Sequence, residues 1–378
     1  MPPHQASETL YHNAQSYFER LIVLVNQAQE TIYLESYIYT GDTLAARVTD
    51  ALCAAAKRGV EVKVIVDGAG AAPGFTNMAR RMRLAGVAVG IHRPLPWDFS
   101  FWPFALVRHE GWRKVWYLLS YINRRDHRKM LLVDTRIMML GSINISQDHL
   151  GVQQGGKNWR DTAIEVADVP LDAAIQAFML TWESAKRPEQ RRRARSLRHS
   201  PLLLNYTRRL RRLQRKLLLW KIREARQRIW ITNAYFVPDR GLLAALVKAS
   251  QRGVDIRILL PRRSDIFFMP WVSATFYGAL IKAGCRVYEY LPTMLHAKTL
   301  LIDDWGIVGS TNLNRRSLHH DLEIDYVLQR QESVQELATT FEQDCDQSQG
   351  ITLEDMRLEK RWQGWLGKVL LVFFGYFV

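Results

Sequence analysis

The sequence predicts an α/β fold of two tandem repeats, each a mostly parallel sheet flanked by helices, packed together as a pseudo-dimer. Three matches carry this reading. Ile32-Tyr-Leu-Glu-Ser-Tyr-Ile-Tyr, a helix-like run and Lys57-Arg-Gly-Val-Glu-Val-Lys-Val-Ile-Val are answered by Ile229-Trp-Ile-Thr-Asn-Ala-Tyr-Phe, a second helix-like run and Gln251-Arg-Gly-Val-Asp-Ile-Arg-Ile-Leu-Leu. Leu84-Ala-Gly-Val-Ala-Val is answered by Ile281-Lys-Ala-Gly-Cys-Arg-Val. A third match, rich in polar residues, lies farther along each copy. Self-similarity on this scale marks a repeat before any single element is assigned.

Each unit reads as strand, amphipathic helix, Arg-Gly turn, strand. From Leu44 to Lys57 and from Leu242 to Ser250 the apolar residues fall three and four apart, as on a helix with one buried face. Gly59 and Gly253 stand where a helix end calls for positive φ. A βαβ unit implies parallel strands and a right-handed crossover. The chain divides into a first repeat at 5–185, a basic linker at 186–204, a second repeat at 205–347 and a C-terminal tail at 348–378.

A chain of 378 residues, 48% hydrophobic and 24% charged, has room for two sizeable cores and excludes a disordered or fibrous protein. Cys53, Cys285 and Cys345 form neither a disulfide framework nor a zinc ribbon and suit a reducing compartment. No signal-peptide pattern opens the chain, and no apolar run reaches the ~20 residues of a membrane span. The net charge of +15 is local: residues 186–228 hold 17 Lys/Arg against 2 Asp/Glu, which leaves the remainder neutral. Such a segment points to an anionic partner, nucleic acid or a membrane surface.

The chemistry lies in the third match. His127-Arg-Lys129-Met-Leu-Leu-Val-Asp134 and His296-Ala-Lys298-Thr-Leu-Leu-Ile-Asp303 share the pattern His-x-Lys-x4-Asp. Gly141-Ser142-Ile-Asn144 and Gly309-Ser310-Thr-Asn312 follow them. Residues two apart on a strand face the same way, so each His and Lys project together. A hairpin then returns Ser and Asn beside them. Across a pseudo-twofold the two sets meet in one pocket suited to a phosphodiester. Lys129, Lys298, Asn144, Asn312, Ser142 and Ser310 bind or support the phosphate, one imidazole attacks phosphorus, and the other protonates the leaving alcohol. Asp134 and Asp303 count with the catalytic motif, although their place at the strand ends reads as structural. Neither repeat offers a metal-ligand set at ligand spacing, and no metal or other cofactor is expected.

Each imidazole needs a carboxylate on its other nitrogen. Asp161, 34 residues after His127, and Glu323, 27 after His296, open strand-like runs in matching places; Asp321 is the rival to Glu323. The adjacent His319 and His320 read as lining or surface residues, and Gly155, Gly156 and Lys157 as a loop.

These motifs resemble the phospholipase D superfamily, with its duplicated HKD motif, over nearly the whole chain. Within it, Glu35-Ser-Tyr-Ile-Tyr, Asn233-Ala-Tyr-Phe-Val-Pro and Gly309-Ser-Thr-Asn-Leu-Asn-Arg-Arg-Ser resemble bacterial cardiolipin synthases without N-terminal transmembrane helices. The resemblance implies two phospholipase D-like domains and transfer of a phosphatidyl group, from phosphatidylglycerol or another phospholipid, to the alcohol of a second phospholipid, with phosphatidylglycerol and phosphatidylethanolamine as the candidate substrates and their donor and acceptor places left open. It implies His127 as nucleophile, His296 as acid/base and a place on the cytoplasmic face of the bacterial inner membrane. The alternatives are a phospholipase D hydrolase and a metal-independent phosphodiesterase or nuclease. One departure stands out: six residues separate Asp134 from Gly141, but five separate Asp303 from Gly309.

Tyr206 to Trp220 alternates Arg/Lys with Leu at helical spacing, which suits a membrane surface as much as nucleic acid. Three other segments favour an anionic membrane surface. Ile266-Phe-Phe-Met-Pro-Trp is very apolar for a loop near the site. Pro94 to Tyr121, absent from the second repeat, mixes Trp and Phe with Arg and Lys. The C-terminal tail ends in ten uncharged residues. Both histidines come from one chain, so no oligomer is required.

Overall fold

In the computed structural model, residues 6–72, 74–107, 109–183, 200–358, 366–367 and 369–371 are described. Most of the predicted linker and much of the tail lie outside them. The first half runs β1 (Ser7–Tyr11), α1 (Ala14–Gln27), β2 (Thr31–Ser36), α2 (Thr43–Lys57), β3 (Glu61–Asp67), α3 (Phe75–Leu84), β4 (Ala88–His92), α4 (Gly111–Ser120), β5 (Met130–Val133), β6 (Ile137–Gly141), β7 (Ala163–Ala167) and α5 (Asp172–Trp182). The second runs β8 (Leu202–Leu204), α6 (Arg208–Glu224), β9 (Arg228–Thr232), α7 (Arg240–Gln251), β10 (Asp255–Pro261), α8 (Met269–Lys282), β11 (Arg286–Tyr290), β12 (Thr299–Ile302), β13 (Trp305–Gly309), α9 (Arg315–His319), β14 (Ile324–Val327), α10 (Gln331–Asp346), β15 (Ser348–Ile351) and α11 (Leu353–Leu358).

The sheets are built alike, in the orders β1-β7-β6-β5-β2-β3-β4 and β8-β14-β13-β12-β9-β10-β11-β15. They correct the expected mostly parallel sheet. In the first, only β2–β3 and β3–β4 are parallel, and in the second only β9–β10 and β10–β11. The motif strands β5 and β12 run antiparallel to β2 and β9. The short turns after them allow only antiparallel hairpins, so the βαβ pattern describes just one side of each sheet. The second sheet also takes in segments assigned to linker and tail: β8 pairs with β14 and β15 with β11.

Helices start and stop as the sequence indicates. The side chains of Asp42 and Asp239 cap α2 and α7, and Gly59 and Gly253 follow those helices at φ 97° and 90°. Leu131 and Val133 of β5 pack beneath α1–α3, whereas Met130 and Leu132 enter a core between the sheets. Trp230, Leu301, Val308 and Tyr326 of the second sheet share that core. Burial of each such side chain contributes about 1.5–3 kcal/mol. This shared core locks the halves together and fixes the relative position of the two motifs.

Candidate functional site

Each motif begins just before its strand, where the chain bonds to the opposite half. The His127 amide donates to the Leu322 carbonyl at 2.9 Å, and the His296 amide donates to the Arg160 carbonyl at 2.7 Å. The residues next along those partners are Glu323 and Asp161, so each histidine meets a carboxylate from the other repeat. His127 Nδ1 lies 3.0 Å from Glu323 Oε2, and His296 Nδ1 lies 2.8 Å from Asp161 Oδ1. This crosses the within-repeat pairing suggested by the sequence. The rival Asp321 accepts instead from the Arg125 amide and pairs with Arg316.

With Nδ1 committed, Nε2 of each ring remains for chemistry. His127 and His296 line one cleft of about 390 Å³ together with Asn144 and Asn312. Lys129 Nζ donates to the carbonyl of His127 at 2.6 Å, and Lys298 donates to that of His296. Asn144 accepts from the Ile38 amide through Oδ1, and Asn312 Oδ1 is buried with no hydrogen bond among the described residues.

Ser142 and Ser310 take up a supporting place, not a phosphate-binding one. Ser142 Oγ donates to Asp161 at 2.7 Å and Ser310 Oγ to Glu323 at 2.6 Å. The extra residue of the first hairpin is absorbed in its turn: Val133 faces Ile137, Ile302 faces Trp305, and the serines keep equivalent partners. Asp134 and Asp303 are corrected from the catalytic set, because both carboxylates are spent on backbone amides at the far end of the motif strands. Asp134 accepts from the amides of Gln29, Glu30 and Thr31, and Asp303 from those of Arg226, Gln227 and Arg228. Each carboxylate ties off the strand beside its own.

His149 was not found from the sequence. Its Nδ1 lies 2.6 Å from Asp161 Oδ2, and its Nε2 accepts from the Asn144 amide at 3.3 Å. It stands eight residues after Gly141, as Ser317 stands eight after Gly309, and Ser317 hydrogen-bonds Glu323. The signal was thus positional, in the repeat, but hidden by the change of residue type. His149, Asp161 and His296 form a trio with ligating atoms within 4.8 Å, which spacing within one repeat does not reveal. The Asp161 contacts to both rings have hydrogen-bond lengths. Tyr37 packs on the His127 ring and Trp159 on the His296 ring, fixing both imidazoles.

Burial sets the protonation states. It holds His127 well below the ordinary imidazole range, with Lys129, Lys298 and Arg316 adding repulsion. His296 is taken down to about 3 by burial and then by Lys298. Burial also lowers Lys129 to about 8 and Lys298 to about 7, and raises Glu323 to about 7. For Asp161, burial alone would raise the value, but His149 and His296 hold it well below the carboxylate range. Both imidazoles are therefore neutral at pH 7, and an anion entering the cleft favours the charged forms of the lysines and imidazoles.

The motif's middle residue, Arg128, is structural. Its fully buried guanidinium bonds Asp126, Glu35 and Thr181.

Apolar surface surrounds this polar centre. In the 94–121 insertion, Phe101, Phe104 and Leu118 are buried anchors, while Trp97, Phe99, Trp112 and Trp116 are exposed by 61% or more. Phe267 is 71% exposed between Ile266 and Phe268, which line the cleft. Leu213 and Trp220 project from the basic helix α6. Of the tail, Leu370 and Leu371 pack beside Val237, Met269 and Val272 rather than projecting. Among the described residues no helix is long and apolar enough to cross a membrane.

Comparisons with known proteins agree with this geometry. A family model described as "Cardiolipin synthase, PLD-like domain" matches residues 21–171 and 218–345. The chain is 29% identical over 367 residues to cardiolipin synthase of Clostridium perfringens (strain SM101), covering 93% of this chain and 72% of that protein. It is 30% identical over 360 residues to cardiolipin synthase A of Pseudomonas entomophila, covering 92% and 70%. Among solved structures, phosphatidylserine synthase of Haemophilus influenzae has a like fold, with a TM-score of 0.69 at 13% identity over 96% of this chain and 92% of that one.

Proposed function

This chain belongs to the cardiolipin synthase, PLD-like domain family, and we propose that it transfers a phosphatidyl group between phospholipids through a phosphohistidine. The observation that carries the reading is the crossed arrangement: two imidazoles share one cleft, each held at Nδ1 by a carboxylate of the other half. A phosphodiester between them meets a nucleophile on one side and a proton carrier on the other.

The difference between the carboxylates supports the division of labour. Asp161 is held firmly anionic and suits a partner that must become an imidazolium, so His296 is the acid/base. Glu323, raised to about 7, is a weaker anion and leaves His127 neutral as the nucleophile. Binding of the phosphodiester anion first charges His296, so that its Nε2 carries a proton; His127 Nε2 then attacks phosphorus while the P–O bond to the departing headgroup breaks, and that oxygen takes this proton, leaving His296 neutral. The acceptor hydroxyl then returns a proton to His296, its oxygen attacks phosphorus, and the P–N bond to His127 breaks. Lys129, Lys298, Asn144 and Asn312 stand by the charge that builds on the non-bridging oxygens.

With phosphatidylglycerol as donor the leaving alcohol is glycerol. A second phosphatidylglycerol, or a phosphatidylethanolamine made to serve as donor in its place, fits the same cleft chemistry. The exposed aromatics and the basic α6 suit an enzyme seated on the anionic cytoplasmic leaflet of the inner membrane. Mass spectrometry of lipids after incubation with phosphatidylglycerol vesicles in EDTA tests this. Cardiolipin with released glycerol is expected; phosphatidic acid alone would make the protein a hydrolase, and the absence of any lipid product would remove the proposal.

A further inference from the structure

Segment 316–322 walls two separate spaces. Arg316, Ser317 and Asp321 line the catalytic cleft, whereas His319 and His320 turn into a second cavity of about 300 Å³. Arg124 and, from α6, Arg208, Arg212 and Arg215 complete that chamber. A recess of about 50 Å³ shares Arg124, Arg211 and His320 with it and extends to His92 and Tyr206. Neither space shares a lining residue with the catalytic cleft.

The chamber is strongly unbalanced in charge. Among the described residues no carboxylate lines either space. Asp239 engages its edge, bonded to Arg215 and 3.9 Å from His319. Burial, followed by repulsion from Arg93 and Arg208, lowers Arg124, and burial followed by His319 and Arg124 lowers His320. The recess adds a second sign of a ligand. His92 is 3% exposed, and among the described residues neither of its ring nitrogens has a hydrogen-bond partner. The buried Tyr206 hydroxyl has none among them either. Buried polar groups are normally satisfied, so this wall is built to meet something polar.

We propose that the chamber is a second phosphate-binding site, distinct from the catalytic cleft, which takes the phosphate of an ester whose hydroxylated end enters the recess. Guanidinium forks match phosphate oxygens in pairs, and five line this chamber, of which Arg215 is already paired with Asp239. The imidazole of His92 and the hydroxyl of Tyr206 offer the donor and acceptor that a small alcohol needs. The phosphate belongs either to a lipid headgroup or to a free solute, and the site stands independently of the transfer reaction.

Calorimetric titration of the full chain with inorganic phosphate tests the site. Two sites are expected in the wild type. Arg208→Gln/Arg212→Gln weakens one of them at least about tenfold, while Lys298→Met weakens the other. Both arginines are exposed, so their replacement leaves the core intact. The pair Arg209→Gln/Lys216→Gln, also exposed on α6 and outside the chamber, removes the same charge and keeps both sites. Two unchanged sites in the Arg208/Arg212 variant, or a single wild-type site abolished by Lys298→Met, would overturn the proposal. Flotation with phosphatidylglycerol vesicles identifies the source. Selective loss of flotation in the Arg208/Arg212 variant assigns a lipid headgroup, and unchanged flotation beside lost phosphate binding assigns a free phosphate.

Discussion

Glu323 Oε2 stands 3.0 Å from His127 Nδ1 although 196 residues separate the two, and this bond joins one repeat's reactive group to the other repeat's carboxylate. Its counterpart between His296 and Asp161 makes the relation reciprocal. Neither half holds a complete centre. Glu323→Gln keeps the shape but removes the anion, and should lower kcat about 10²–10⁴-fold with little change in KM. Steady-state lipid transfer measures this; a change confined to KM would assign Glu323 to substrate binding.

The His149 contact with Asp161 predicts a milder effect. His149→Gln leaves Asp161 bonded to Ser142 and His296 but removes one of its partners. The acidic limb of the kcat profile should move, because Asp161 then holds less firmly to its charge. An unchanged profile would leave His149 a packing role.

The pH dependence of the lysines has a definite sign. Lys298, at about 7 in the folded chain, binds fewer protons than its unfolded counterpart between that value and 10.5. Folded stability therefore rises with pH across this window, its contribution being complete above 10.5 and lost as pH falls through about 7. Binding of an anionic phosphate analogue should run oppositely and weaken above pH ~7–8 as the lysines lose their protons. Melting curves and analogue titrations on wild type and Lys298→Met check both slopes, which should flatten in the variant.

The buried Arg128 should matter to folding more than to chemistry. Arg128→Ala strands the carboxylates of Glu35 and Asp126 and should cost about 3–5 kcal/mol in urea unfolding. A loss below about 1 kcal/mol would show that water replaces the guanidinium.

Much of this centre was legible because it obeys local rules. His and Lys two apart on a strand must share a face, and the duplicated motif located both sets. Asp161 and Glu323 were also visible, but their crossed pairing depends on which backbone edges meet, namely Leu322 with His127 and Arg160 with His296. Ser142 and Ser310 were found for the wrong partner, since only the folded hairpin shows the hydroxyls turning to carboxylates. The mostly parallel sheet extrapolated one βαβ unit past the point where tight turns reverse the chain. His149 escaped because its repeat counterpart is Ser317.

The described part of the tail changes what its removal should do. Leu370 and Leu371 pack on the cluster of Val237, Met269 and Val272, of which Met269 lines the cleft. Truncation after Leu358 should reduce lipid turnover even where the substrate is presented in detergent. Activity lost only on vesicles would assign the segment to membrane attachment instead.

Trapping the covalent intermediate tests the central claim most directly. His296→Asn lacks the acid/base but retains His127, Glu323 and both lysines. After brief exposure to phosphatidyl-p-nitrophenol, whose phenolate leaves without a general acid, and rapid quenching, peptide mass spectrometry should find a phosphatidyl adduct on His127. An adduct on another residue, or lipid transfer in His127→Ala, would contradict the account.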